Sequence, residues 1–242
     1  MATSEQSYPD RYNRGMQLQA VIVGFSPVFN PADSNLTAAS FANFLTDVNA
    51  LNDAIDPAEA TLTLLIQDRV TATAEVHEKA RRIRDYVTSV VTWKKYHDTV
   101  IKAAGKVLGY AVPKKVIAPP TPPPATPPKK TGSGAKTQRA FDDVERFFKK
   151  LNEAVKKITG FIAPSPSGLS IAELEAQQTA YKDLNSAVNT ADGALGDLQR
   201  DRKQAYDGEN SLIEKVRAIK KAVSAQYGPN STEAAAAKAI KN

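Results

Sequence analysis

Residues Ser34–Val90 and Ser167–Val223 align without a gap at a constant offset of 133, and fifteen of the 57 paired positions are identical. The identities include Leu36/Leu169, Thr46/Thr179, Leu51/Leu184, Asn52/Asn185, Leu62/Leu195, Asp68/Asp201, Arg69/Arg202 and Val90/Val223, while Phe41/Leu174, Ile55/Val188 and Ile83/Val216 keep apolar character. A chain that repeats a segment of this length builds the same supersecondary piece twice. The duplication predicts an all-α fold made from a repeated three-helix unit, as one pseudo-symmetric up-down bundle or as two linked bundles. The first repeat is residues 1–111, the second is residues 139–242, and residues 112–138 form a Pro/Lys-rich linker.

The spacing of apolar residues gives the helices. Positions 41, 44, 48, 51, 55, 58, 62 and 65 hold Phe, Phe, Val, Leu, Ile, Ala, Leu and Leu. Steps of three and four mark a helix packed along a seam. The second copy repeats the seam through Leu174, Tyr181, Leu184, Val188, Ala191, Leu195 and Leu198, broken by Gln177. Asp56-Pro57-Ala58-Glu59 reads locally as a helix start, with an N-cap, a first-turn proline and an acid. The heptad phase nevertheless crosses Pro57 undisturbed, which favours one long helix kinked there. A preceding helix is expected from about Arg11 to Val23, and its counterpart from about Arg139 to Ile162, with Gly24-Phe25 matched to Gly160-Phe161 at an offset three residues larger. A third helix follows the turn Tyr206–Ser211, where Ser211 and Glu214 form a capping box. The first copy runs on through Trp93 and Tyr96 to about Gly109, and Thr232–Ile240 forms a last short helix.

Charge locates the basic excess. The net charge is +6, but residues 1–111 carry 11 basic and 12 acidic residues and residues 139–242 carry 16 and 14. The linker holds Lys114, Lys115, Lys129, Lys130 and Lys136 and no acid, with eight of the fifteen prolines. The repeats are therefore close to neutral, unlike a dedicated nucleic-acid-binding fold. The linker reads as a polyproline II strap with a flexible Thr131-Gly-Ser-Gly end. Its PxxP spacings, Pro119 to Pro122 and Pro124 to Pro127, suit a passive spacer or a docking segment. The chain has no cysteine, so disulfides, thiol catalysis and thiolate metal sites are excluded. Neither a secretory signal nor a membrane-spanning stretch is read, and the default location is cytoplasmic.

No catalytic, cofactor-binding or metal-binding residue emerges, and no cofactor is expected. His77 and His97 are read as solvated helix-surface residues. Asp68-Arg69 and Asp201-Arg202 are the sharpest polar repeat, open to a reciprocal Asp68–Arg202 and Asp201–Arg69 pairing or to pairing within each half. Asn52 and Asn185 flank the seam, where an asparagine fixes helix register or bonds a nearby loop. The basic clusters at Lys79–Arg84, Lys94-Lys95, Lys149-Lys150, Lys156-Lys157 and Lys220-Lys221 read mostly as mixed-charge solvated faces. Trp93 and Tyr96 read as bundle packing rather than as base-stacking platforms.

Arg202, Tyr206, Asn210, the helix Ile213–Val223 and the turn Tyr227-Gly-Pro-Asn-Ser231 resemble an uncharacterised family of bacterial all-helical proteins that carry tandem copies of a unit ending in a Tyr/Phe-Gly-x-x-Ser turn. The first copy departs by lacking that turn. The resemblance implies a helical bundle and brings no activity. The expected function is non-enzymatic: a structural or interaction scaffold that binds itself, as a homo-oligomer or filament, or another protein. The alternative is a nucleic-acid or anionic-surface binder using the Lys-rich linker and basic helix faces.

Overall fold

The computed structural model describes residues 7–109, 133–164 and 168–240. Most of the linker, including both PxxP spacings, lies outside the described residues, as do residues 1–6. Among the described residues the chain is all-α, with seven α-helices and two short 3-10 turns. They are α1 (Ser7–Val23), α2 (Ala38–Ser89), α3 (Lys94–Val107), α4 (Ser133–Lys156), α5 (Ile171–Asp207), α6 (Leu212–Tyr227) and α7 (Thr232–Ala239). Helix α4 begins before the expected Arg139, within the stretch read as the flexible end of the linker.

The long helix is continuous through Pro57, over 52 residues. An interior proline costs roughly 3 kcal/mol, so tertiary packing holds α2 together. The seam supplies it, and both copies use it alike. Phe41, Val48 and Ile55 are buried, as are Leu174, Tyr181 and Val188, while Phe44, Leu51 and Ala58 are half-buried with Gln177, Leu184 and Ala191. Helices α2 and α5 also start at equivalent positions, Ala38 and Ile171. They end differently. Helix α5 stops at Asp207, and Asn210 adopts φ 56, a left-handed conformation that asparagine tolerates better than most residues. Glu214 caps the Asn210 N–H at 2.8 Å, and Ser211 accepts from the Glu214 N–H at 3.5 Å. The corresponding residues Ala74–Glu78 contain no glycine or asparagine, and α2 runs on to Ser89. The first copy breaks instead at the 3-10 turn Val91–Trp93.

The chain divides into two compact units that cut across the sequence repeats: residues 1–61 with 191–242, the terminal unit, and residues 62–190, the central unit. Each draws on both repeats. In the terminal unit, Leu18 and Ile22 of α1 and Phe41, Leu45 and Val48 of α2 share a core with Tyr206 of α5, Leu212, Val216, Ile219 and Val223 of α6, and Ala237 of α7. In the central unit, Val76, Ala80, Ile83 and Val87 of α2 and Val100, Ala104 and Val107 of α3 share a core with Phe148, Leu151 and Val155 of α4 and Leu174 and Tyr181 of α5. Both ends of the linker therefore attach to the central unit, at the end of α3 and the start of α4.

The offset of 133 also extends back through the first helices. Leu18 and Leu151 are both fully buried, and Ile22 and Val155 are both in the cores. The offset of 133 thus holds within the first helices, and the three-residue shift at Gly24-Phe25 falls after them.

Candidate functional site

The repeated Asp-Arg pairs split into an inner and an outer residue. Arg69 and Arg202 are buried, 5% and 7% exposed, whereas Asp68 and Asp201 are exposed. Neighbouring helix residues point in different directions, so one member of each pair faces the core. The guanidinium carbon of Arg69 lies 4.0 Å from the centroid of the Phe141 ring. That of Arg202 lies 4.7 Å from the centroid of Tyr8. Phe141 and Tyr8 are themselves 133 residues apart, so each unit builds the same arginine-on-ring contact. A guanidinium is planar and weakly hydrated and stacks on aromatic faces at low desolvation cost. Each cation is thus seated inside its own unit, and the reciprocal Asp–Arg pairing is not needed to place it.

The repeated asparagines also bond between helices, though to non-equivalent partners. Asn52 Nδ2 donates to the Tyr206 hydroxyl at 2.8 Å, and Asn185 Nδ2 donates to Glu145 Oε2 at 2.8 Å. Both bonds join helix to helix, which is the register-fixing role rather than the loop contact. The Tyr181 hydroxyl and Thr73 Oγ1 are 2.9 Å apart. Thr73 occupies the position equivalent to Tyr206, and Val48 the one equivalent to Tyr181. In each unit, then, α5 supplies the ring and α2 faces it with a smaller side chain.

Burial pushes both tyrosines above their usual pKa, opposed in part by the hydrogen bonds from Thr73 and Asn52. The consequence has a definite sign. The unfolded tyrosines ionise near pH 10, before the folded ones, so stability is fully present below pH 10 and falls as the pH rises through and above it. Denaturant melts between about pH 9 and 11 should show this loss, and Tyr181→Phe should flatten it.

The terminal unit carries a polar cleft of about 390 Å³ next to Arg202, lined by Tyr8, Tyr12, Asn49, Asn52, Asp53 and Asp56 among others. Within it Asn49 Nδ2 donates to Asp53 Oδ2 at 2.7 Å. A wider, open cleft of about 780 Å³ lies between α1 and α7, lined by Asp10, Arg14, Gln17, Val21, Ala236 and Ala239. The lining groups donate and accept hydrogen bonds. No serine, threonine or histidine among the described residues lines either cleft. Among the described residues no group of three or more His, Asp or Glu side chains is placed to hold a metal ion.

The other predicted candidates take structural places. His77 is half-buried and its pKa is lowered, first by desolvation and then by Arg81. His97 Nε2 lies 3.3 Å from the Val90 carbonyl oxygen. Trp93 is 8% exposed and stacks on Phe161 at 5.5 Å between centroids, with Tyr86 edge-on at 5.7 Å. Trp93 thus packs within the bundle, as its sequence reading expects. Several basic residues have nearby acids: Arg81 with Glu78, Arg84 with Asp85, and Lys156 with Glu153 at 3.1 Å and Glu175 at 2.6 Å. Exposed pairs of this kind contribute about 0–1 kcal/mol each. The rings of Tyr8 and Phe141 are what sequence reasoning missed, and extending the offset of 133 back to them is the signal that finds both.

No family model, curated protein or solved structure matches the chain. Among the described residues no helix is long and apolar enough to cross a membrane.

Proposed function

We propose that the protein is a non-enzymatic helical scaffold that acts by association, with itself or with a protein partner. The observation that carries this reading is on α2, where Leu64, Ile66 and Val70 are 62%, 39% and 55% exposed within seven residues of one helix. Ile66 and Val70, four residues apart, share one face of the helix, and Leu64 opens on another; exposed aliphatic side chains of this kind are what a partner covers. The polar residues repeated in both copies support it from the other side. Arg69, Arg202, Asn52 and Asn185 hold helices together, and they offer no nucleophile and base in reach of each other. The resemblance to tandem-repeat helical proteins agrees with a scaffold and adds no chemistry.

The test is light scattering on a sizing column, across protein concentration and at low and high salt. Self-association predicts a mass above the 26.1 kDa of one chain, reduced by Ile66→Gln with Val70→Gln. A 26.1 kDa species under every condition rules out self-association, and failure of the α2 face to retain any protein that the double variant releases rules out the partner. The polyanion-binding alternative rests on the linker lysines, most of which lie outside the described residues.

A further inference from the structure

One end of the central unit combines exposed aliphatic side chains with lysines. It is formed by the turn between α2 and α3 and by the residues after α4. Val91 is 82% exposed and Ile162 is 75% exposed. Both stand on a fixed base. The Trp93 and Phe161 rings beside them are stacked, Tyr86 packs edge-on to each, and the Tyr86 hydroxyl donates to the Ile162 carbonyl oxygen at 2.7 Å. The Tyr96 hydroxyl and Thr159 Oγ1 join the same two segments at 3.1 Å. The segments thus form one surface, and the aliphatic pair is held out from it by an aromatic layer in which Trp93 is buried and Tyr86 and Phe161 are half-buried.

Cations flank the pair. Lys94 and Lys95 open α3, whose first turn has no acidic residue, and Lys157 follows α4 directly. All three are exposed. Lys95 Nζ rests 4.8 Å from the centroid of its neighbour Tyr96. Acids nearby include Asp98, one turn further along α3, Asp85, which pairs with Arg84, and Glu153 and Glu175, which pair with Lys156. Val23 and Val28 of the terminal unit are also exposed, at 64% and 79%, and their own segment has no lysine or arginine from Gly15 to Asp68, though Lys238 reaches the Pro229 carbonyl oxygen on the turn after α6.

Exposed aliphatics bracketed by lysines match an anionic lipid surface, where apolar side chains enter the headgroup–acyl boundary and the ammonium groups stay among the phosphates. A nucleic acid would use the lysines and leave the aliphatics in water. We propose that this end of the central unit docks on an anionic lipid surface, with Val91 and Ile162 inserted and Lys94, Lys95 and Lys157 facing the headgroups. This goes beyond the scaffold reading and does not depend on it.

The experiment is vesicle co-sedimentation of the full chain. Vesicles containing phosphatidylserine should bind at least about ten-fold more tightly than pure phosphatidylcholine vesicles, and the difference should shrink with salt. Val91→Asn with Ile162→Asn should weaken binding about ten-fold with an unchanged helical circular dichroism spectrum. Lys94→Gln, Lys95→Gln and Lys157→Gln together should do the same, while Val23→Asn with Val28→Asn should leave binding intact. Equal binding to both vesicle types overturns the proposal. So does full binding by the Val91/Ile162 variant, since the linker lysines would then carry the attraction. Binding of duplex DNA as tight as that of the vesicles, and indifferent to the Val91/Ile162 change, overturns it as well.

Discussion

A protease site placed in the linker, between Pro119 and Pro128, should be cut without the molecule coming apart. The two fragments, one carrying α1–α3 and the other α4–α7, should co-elute under native conditions and separate only in denaturant. The reason is the composition of the units. The terminal unit joins Arg11 to Asp207 by an ion pair at 2.6 Å, Tyr227 to the Pro27 carbonyl oxygen at 2.5 Å, and Asn52 to Tyr206. The central unit joins Thr73 to Tyr181, Tyr86 to Ile162, and the cores of α3 and α4. Neither fragment holds a complete core, so neither can leave without exposing the apolar residues of both. What the cut removes is the tether. Covalent linkage makes the docking of the two halves intramolecular, so the cut protein should melt at a temperature that rises with concentration, and the intact chain should not. The measurement is native mass spectrometry with melts at several concentrations. Two fragments that elute apart, each helical and each melting cooperatively, would mean that the sequence repeats fold alone and that the composite units are wrong.

The same contrast shows which parts of the fold the sequence makes legible. A seam of apolar residues in steps of three and four must lie along a helix partner, so α2 and α5 are readable residue by residue, through Pro57 and to the buried and half-buried classes. Which copy supplies the partner is another matter. Equivalent seams in the two repeats look alike, so periodicity cannot say whether Val48 packs on its own repeat or on Tyr206 of the other. The sequence leaves open one pseudo-symmetric bundle or two linked bundles, because core contacts that cross between repeats leave no mark in composition. The polar repeat carried a similar ambiguity. An Asp-Arg dipeptide suggests an ion pair, but its arginine is seated on a ring 60 or more positions away, and Tyr8 falls in a stretch whose Pro and polar residues resemble a frayed end. The lysines near Trp93 were legible as charge. Only the structure shows Val91 and Ile162 exposed between them.

Replacing Phe148 by alanine should be among the most damaging single changes in the central unit, at about 3–5 kcal/mol. Phe148 is fully buried, and the equivalent position in the terminal unit is Gly15. Duplicated cores rarely exchange a phenylalanine for a glycine without neighbours changing too, and here they do. A Cβ added at Gly15 would lie 2.8 Å from Leu45 Cδ2 and 3.0 Å from Leu212 Cδ1. The residues equivalent to those leucines in the central unit are Gln178 and Lys79, both half-buried. Their polar ends turn to other partners: Gln178 accepts from Asn152 at 3.1 Å, and Lys79 donates to Gln177 at 3.2 Å. The terminal unit thus fills the space with two leucines and the central unit with one phenylalanine. Gly15→Phe should therefore overpack the terminal core, costing about 1–3 kcal/mol or more. Leu45→Ala should recover part of that loss in a double-mutant cycle, because both changes act on one volume. Thermal melts measure the totals, and a loss of about 3 kcal/mol should lower the midpoint by roughly 6–12 °C for a chain of this size. Hydrogen exchange assigns the Phe148→Ala loss to α3 and α4. A cost below about 1 kcal/mol for Phe148→Ala would mean that the site collapses around the smaller side chain and that the two cores are not built on alternative fillings of one plan.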